Sequence, residues 1–198
     1  SFLAAARHGG DSITYDAKHG LYGDDAYALM RLSQYASDPG KNTWRTLLSD
    51  FYLQMRDWDG GTKGYIDQYK PIDPSVAVFY LAHHAIAAQY ADATDKGLWR
   101  TQLIFYLSQV NDESAAFPVM ALGVATWALA QTGSLDATPI GDGGDWKGKT
   151  LADLPAMLLG HQVPEGQANA GTFYSRFDHL DDGEGSLVSG YTEDTIFA

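Results

Sequence analysis

The chain has 198 residues, of which 45% are hydrophobic, and it contains no cysteine. This length and apolar fraction fit one domain with a sizeable core, and the lack of cysteine excludes a disulfide framework, a thiolate zinc site and a cysteine nucleophile. The formal net charge of -12 at pH 7 argues against nucleic acid or an anionic membrane surface as the main partner.

The apolar start of the chain predicts a partial helix over 1–8 and lacks the basic residues of a signal peptide. The longest apolar runs, 76–91 and 115–130, are interrupted by polar residues, so they predict buried helices and no membrane span. A chain without cysteine, rich in Asp and poor in Lys, is typical of exported bacterial proteins. We therefore expect an extracellular or cell-surface location.

An internal repeat begins after the first helical segment. Trp44-Arg45-Thr46 recurs 55 residues later as Trp99-Arg100-Thr101, and the fourteen aligned positions hold six identities without a gap. Chance would give about one, so the similarity is a true repeat. Each copy has apolar residues on one side of a helix, which predicts an outer, amphipathic helix. The segment before each copy predicts an inner helix, and the one over 75–91 is apolar nearly all round.

We therefore predict an all-α chain of repeated helical hairpins, partial or open, in a single domain over 1–198. The elements are three hairpins at about 24–57, 75–111 and 117–160, with partial helices at 1–8 and 191–198. Because the last segment repeats the start of the first inner helix and has no stop signal, the chain is expected to be a fragment of a larger array.

The repeat over about residues 20–198 and the glycine-rich stretch 59–65 resemble the α/α-toroid superfamily, in which inner and outer helices close into a six-hairpin-like barrel. The segments 117–123 and 191–194 also resemble uncharacterised secreted bacterial proteins of that architecture. The superfamily includes terpene cyclases, prenyltransferase subunits, polysaccharide lyases and glycoside hydrolases. The Asp-rich cyclase motifs and the cysteine-containing zinc site of the prenyltransferases are absent from this sequence.

Carboxylates precede the inner helices. They are Asp24 and Asp25, Asp73 with Ser75, Glu113 with Ser114, and Glu193 with Asp194. The ordinary interpretation is capping, because such side chains accept hydrogen bonds from free helix N–H groups. The functional alternative is that a toroid gathers these helix starts at one mouth. Asp25 and Asp194 would then be the catalytic acid and base acting on a glycosidic bond.

The loop 161–190 is rich in polar and aromatic groups. In lyases that cleave uronic-acid sugars, a Tyr or His removes a proton and an Arg neutralises the carboxylate, which makes Tyr174 and His179 candidate catalytic residues and Arg176 a substrate-binding one. The alternating residues 172–177 predict a strand in a short β-hairpin near 171–190, with Tyr174 and Arg176 on one face. The alternative is an ordinary surface hairpin with an Arg–Asp pair.

Aromatic residues in the loops would stack against sugar rings. The candidate substrate-binding residues of this kind are Trp58, Tyr65, Tyr69 and Tyr191. The acidic run Asp181, Asp182 and Glu184 would ligate calcium or else form a solvated turn, and no other cofactor or metal is predicted. The adjacent His83 and His84 point about 100° apart on a helix, so they are interpreted as core residues rather than ligands of one metal.

Two functions remain open at this stage. One is an exported carbohydrate-active domain, of the lyase or hydrolase type, that acts on a polysaccharide at the loop-bearing mouth of the toroid. The other is a non-catalytic extracellular structural protein that forms filaments or other assemblies by self-association. Whether the chain is an enzyme is not decided by the sequence.

Overall fold

The computed structural model describes residues 73–90, 93–167 and 169–179. These parts are helical, as predicted. The helices are α1 (Pro74–Tyr90), α2 (Lys96–Leu107), α3 (Pro118–Thr132) and α4 (Leu154–Gly160), with 3-10 turns at Gly144–Trp146 and Leu151–Asp153. The predicted elements at 1–8, 24–57 and 191–198 lie outside the described residues.

Helix α1 lies at the centre of the described helices and packs against both α2 and α3, while α2 also contacts α3 and α3 contacts α4. Nearly every position from Ala77 to Ala88 is buried, as the all-round apolar sequence of α1 predicted. The core continues into α3, where the residues from Pro118 to Ala125 are buried without interruption. These two helices therefore form the interior against which the other elements pack.

The start of α1 is capped as predicted. The Asp73 carboxylate accepts the backbone N–H of Ser75 at 2.7 Å and of Val76 at 3.4 Å, and also the Ser75 hydroxyl. Its second oxygen accepts the N–H of Ala116 at 2.7 Å. Asp73 thus satisfies helix donors that would otherwise lack partners and also fastens the loop that enters α3.

Helix α2 buries one side, which carries Trp99, Leu103, Tyr106 and Leu107. The structure shows the roles of the first two residues of the repeated triplet 99–101. Trp99 is fully buried, whereas the Arg100 guanidinium donates to the Leu129 carbonyl at 2.5 Å, to the Thr132 hydroxyl at 3.0 Å and to the Ser134 carbonyl at 2.7 Å. Arg100 therefore caps the C-terminal end of α3. The first copy, 44–46, lies outside the described residues.

The predicted capping of α3 by Glu113 and Ser114 is wrong. The helix begins at Pro118, so these residues lie in the preceding turn. There the Asn111 side chain accepts the N–H groups of Glu113 and Ser114, both at 2.9 Å. A short polar side chain at the end of the outer-helix segment, rather than the acid after it, organises this turn.

The segment after α3 returns to the core through Trp146, which is 1% exposed and donates its indole N–H to the Val110 carbonyl at 2.8 Å. The hairpin predicted over 117–160 ends in this part of the chain. The structure has a capping box of Thr150 and Asp153 there, followed by the short α4.

The strand predicted over 172–177 is absent from the described structure. Its residue Phe173 forms an isolated antiparallel bridge with Gln162, and the chain bends again at 175–178. Left-handed backbone at Asn169 (φ 61°) and Gly171 (φ 89°) turns the chain back onto 161–163. Tyr174 and Arg176 therefore do not share a strand face, and the rest of the predicted hairpin, 180–190, lies outside the described residues.

Candidate functional site

The candidate site forms where the end of α4 meets the segment 171–179. Backbone hydrogen bonds join the two pieces: the N–H of Val163 donates to the Thr172 carbonyl at 2.8 Å, and the N–H of Tyr174 donates to the His161 carbonyl at 2.9 Å. This pairing places the side chains of 174–179 beside the residue that follows α4, which is His161.

Two imidazoles are hydrogen-bonded at the centre of the site. The Nδ1 atom of His161 lies 2.9 Å from the Nε2 atom of His179. His179 adopts a left-handed backbone conformation with φ 60°, which is uncommon for a residue with a side chain. Strained backbone of this kind is enriched at functional sites, although His tolerates it better than most residues.

Aromatic rings hold both imidazoles in place. The Tyr174 ring stacks on His179 with centroids 4.2 Å apart and an interplanar angle of 15°, and the Phe177 ring stacks on His161 at 5.1 Å. The Tyr174 hydroxyl donates to the Gln167 side-chain oxygen at 3.2 Å, while the Tyr174 side chain itself is buried. The predicted pair Tyr174 and His179 is therefore brought into direct contact.

Asp112 anchors the segment that carries His179. Its carboxylate accepts the backbone N–H of Phe177 at 2.8 Å and of Asp178 at 2.7 Å. The Arg176 guanidinium donates to the Asp112 carbonyl and lies 4.0 Å from the carboxylates of Asp112 and Asp178. Arg176 is thus part of this anchor, and its further N–H groups are the ones left to meet a ligand.

Burial lowers the pKa of His161 to about 4. The neighbouring His179 adds to the lowering, while the negative charge of Asp112 opposes it. His161 is consequently neutral at neutral pH.

Two hydrogen-bonded imidazoles that carry two ring protons between them have one acidic and one basic end. If His161 donates its Nδ1 proton to His179, then Nε2 of His161 is bare and Nδ1 of His179 carries a proton. When Nε2 of His161 takes up a proton, the shared proton moves to His179 and Nδ1 of His179 releases its own, so the two outer nitrogens have exchanged these roles. The 2.9 Å hydrogen bond therefore allows a proton taken up at one end to be released at the other.

The predicted site residues other than Tyr174, Arg176 and His179 all lie outside the described residues. These are Asp25, Asp194, Trp58, Tyr65, Tyr69 and Tyr191, together with the predicted calcium ligands Asp181, Asp182 and Glu184. Within the described ranges, no group of three or more His, Cys, Asp or Glu side chains is arranged to hold a metal ion.

Two residues of the site were not predicted to act there. His161 belongs to the polar loop 161–190, and nothing in the sequence identifies its partner. Asp112 lies at the end of the second repeat copy, and its bonds to 177–178 join residues that are 65 and 66 positions apart.

His83 and His84 are core residues, as predicted. Each Nδ1 atom lies close to the carbonyl oxygen four residues earlier, at 2.8 Å from Phe79 and at 2.6 Å from Tyr80. Because a carbonyl only accepts, each Nδ1 carries the proton. The His84 ring lies 5.3 Å from that of Trp99, and burial lowers the pKa of His84 to about 3. Both side chains pack within the helices rather than in the site.

Comparison with known proteins gives no relative: no protein-family model, no curated protein and no solved structure matches the chain. None of the helices within 73–90, 93–167 and 169–179 has the length and apolar content needed to cross a membrane.

Proposed function

We propose that the chain is an exported carbohydrate-active domain of the polysaccharide-lyase type, built as a partial α/α-hairpin array of toroid type. The observation that carries the proposal is the hydrogen-bonded pair His161–His179, with Tyr174 stacked on one ring and Phe177 on the other. Imidazoles rather than a carboxylate pair form this site, and this favours elimination over hydrolysis, since glycoside hydrolases use two carboxylates.

In the proposed reaction the bare outer nitrogen of the pair takes the proton from C5 of a uronic-acid sugar. The electron pair of that C–H bond forms the C4–C5 double bond, and the C4–O bond to the next sugar breaks. The leaving oxygen receives a proton, through a water molecule, from the N–H at the other end of the pair. The proton shared by His161 and His179 shifts along their hydrogen bond, so the pair ends with the number of ring protons it had at the start.

Arg176 would receive the sugar carboxylate in this scheme. It is half-buried beside Asp112, and a guanidinium has five N–H groups, of which one is used on the Asp112 carbonyl. Tyr174 is buried and hydrogen-bonded to Gln167, so its proposed role is to orient the His179 ring rather than to abstract the proton. The carboxylates Asp25 and Asp194 stay candidates for a hydrolase and require their own test.

The proposal is tested by incubating the full chain with uronate-containing polysaccharides and following the ultraviolet absorbance of the new double bond. We expect His161→Ala and His179→Ala each to reduce the rate at least ~100-fold, the usual scale of acid–base catalysis. Thr172→Ala is the matched control, because it removes a hydrogen bond to the Asn169 carbonyl in the same loop without touching either imidazole. Activity that survives in both His variants would overturn the proposal.

A second candidate, a non-catalytic assembly protein, is favoured by a separate observation. Leu98 and Phe105 on α2 are 42% and 55% exposed, whereas an amphipathic helix of an isolated domain usually carries polar residues there. This function predicts self-association without turnover of any polysaccharide.

A further inference from the structure

The exposed side of α2 carries apolar residues that the repeat does not require. Leu98, Thr101 and Phe105 are exposed and follow one another at helical spacing, so they form one stripe. In the first repeat copy the positions that match Leu98 and Phe105 hold Thr43 and Asp50. The outer-helix pattern therefore accepts polar residues at these two positions, and the apolar ones in α2 need a separate explanation.

The helix α2 itself carries no acidic residue. From Lys96 to Asn111 the sequence contains no Asp or Glu, although the chain has 25 acidic residues and a net charge of -12. Two copies of so acidic a molecule repel one another over most orientations. This repulsion is weaker along α2, because the helix itself carries no carboxylate.

The stripe is also complementary to itself. Leu98 and Phe105 are seven residues apart, so they lie about 10 Å apart along the helix. When two α2 helices run antiparallel about a two-fold axis near Thr101, each Leu98 lies opposite the Phe105 of the other copy. The smaller Thr101 at the centre lets the helices approach, and a two-fold contact closes without further growth.

We propose that α2 forms a two-fold, antiparallel contact with α2 of a second copy of this chain, through Leu98, Thr101 and Phe105. A contact made by one 12-residue helix is smaller than the roughly 800 Å² per partner of a standard interface. The dimer is therefore weak and reversible, and it forms as the concentration rises. This contact is independent of the proposed catalysis, because His161 and His179 lie on other elements.

Sedimentation of the full chain over a wide concentration range tests the contact. We expect the average mass to rise from 21.5 kDa towards twice that value. The variant Leu98→Thr/Phe105→Asp introduces the residues of the first repeat copy, and we expect it to associate at least tenfold more weakly. Leu159→Ser is the matched control, because Leu159 is 65% exposed but lies on α4, and it should associate like the native chain.

The absence of native cysteine allows a second measurement of the geometry. Leu98→Cys and Phe105→Cys chains are mixed under mild oxidation. The disulfide that joins one chain of each variant should form faster than the disulfide that joins two chains of the same variant. A native chain that stays at 21.5 kDa at high concentration overturns the proposal, as does association unchanged in Leu98→Thr/Phe105→Asp. Assemblies larger than a dimer would overturn the two-fold pairing. Lyase activity of a monomeric chain would leave the catalytic proposal standing and remove only this one.

Discussion

The buried imidazole of His84 links the stability of the core to pH. Its pKa is 6.5 in the unfolded chain and about 3 in the fold, where burial and the neighbouring His83 disfavour the charged form. Between these two values the unfolded chain binds a proton that the folded protein excludes. The titration of His84 therefore leaves the free energy of unfolding unchanged above pH 6.5 and lowers it as the pH drops towards 3.

We expect this single residue to destabilise the fold by about 2 kcal/mol at pH 5 relative to pH 7. His84→Gln keeps a side-chain donor towards the Tyr80 carbonyl but does not titrate, so it supplies the reference. Urea unfolding of both chains at several pH values isolates the effect, since the many carboxylates contribute equally to both. Parallel pH profiles for the two chains would contradict the assignment.

The residues of the candidate site show what a sequence reveals at this scale. Tyr174 and His179 could be chosen from their chemical type, and the structure brings them into contact. Their partner His161 could not be paired with His179, because the pairing depends on left-handed turns at Asn169 and Gly171. The partners of Asp112 could not be predicted either, because the sequence around a carboxylate does not specify the distant N–H groups from which it accepts hydrogen bonds.

At the scale of elements, the end of α3 depends on the close approach of Arg100 to Gly133. A Cβ atom built on Gly133 would lie 3.0 Å from Cζ of Arg100, which itself bonds Leu129, Thr132 and Ser134. The guanidinium is at the flexible end of its side chain, but it moves only by giving up these bonds. The small size of Gly133 and the hydrogen bonds of Arg100 therefore stabilise the end of α3 together.

We expect Arg100→Ala to lower the free energy of unfolding by about 1–3 kcal/mol, because carbonyls at a helix end lose a charged donor. Gly133→Ala should cost about 1 kcal/mol by displacing the same group. Gly97 is the contrasting position: a Cβ there meets nothing within 4 Å, so Gly97→Ala should stabilise α2 by about 0.5–1 kcal/mol. Thermal or urea unfolding checks all three, and a stabilising Gly133→Ala would refute the close approach.

The elements themselves were largely predictable, because apolar periodicity and capping are local. The inner helix predicted over 75–91 differs by one residue at each end from α1, and the hairpin predicted over 117–160 begins one residue before α3. The strand over 172–177 failed because alternation alone does not decide between a strand and a bent loop. In that segment the backbone bonds go to 161–163 and the carboxylate of Asp112, partners that no local pattern specifies.

At the scale of the whole molecule, charge and apolar surface act in opposite directions on association. A net charge of -12 on each copy opposes any contact, whereas the carboxylate-free stripe of α2 favours one. The repulsion reaches about 30 Å at 0.01 M salt but only about 8 Å at 0.15 M. Apolar contact is hardly screened by salt, so the balance shifts towards the dimer as ionic strength rises.

We therefore expect the dissociation constant of the α2 dimer to fall severalfold between about 0.01 M and 0.15 M salt. Sedimentation equilibrium at fixed protein concentration and increasing sodium chloride measures this change directly. The Leu98→Thr/Phe105→Asp chain should associate at least tenfold more weakly at every salt concentration, because screening the repulsion does not restore the apolar stripe of α2. Association that weakens with salt would instead indicate ion pairs between copies, and the contact would then have to lie on a charged surface away from α2.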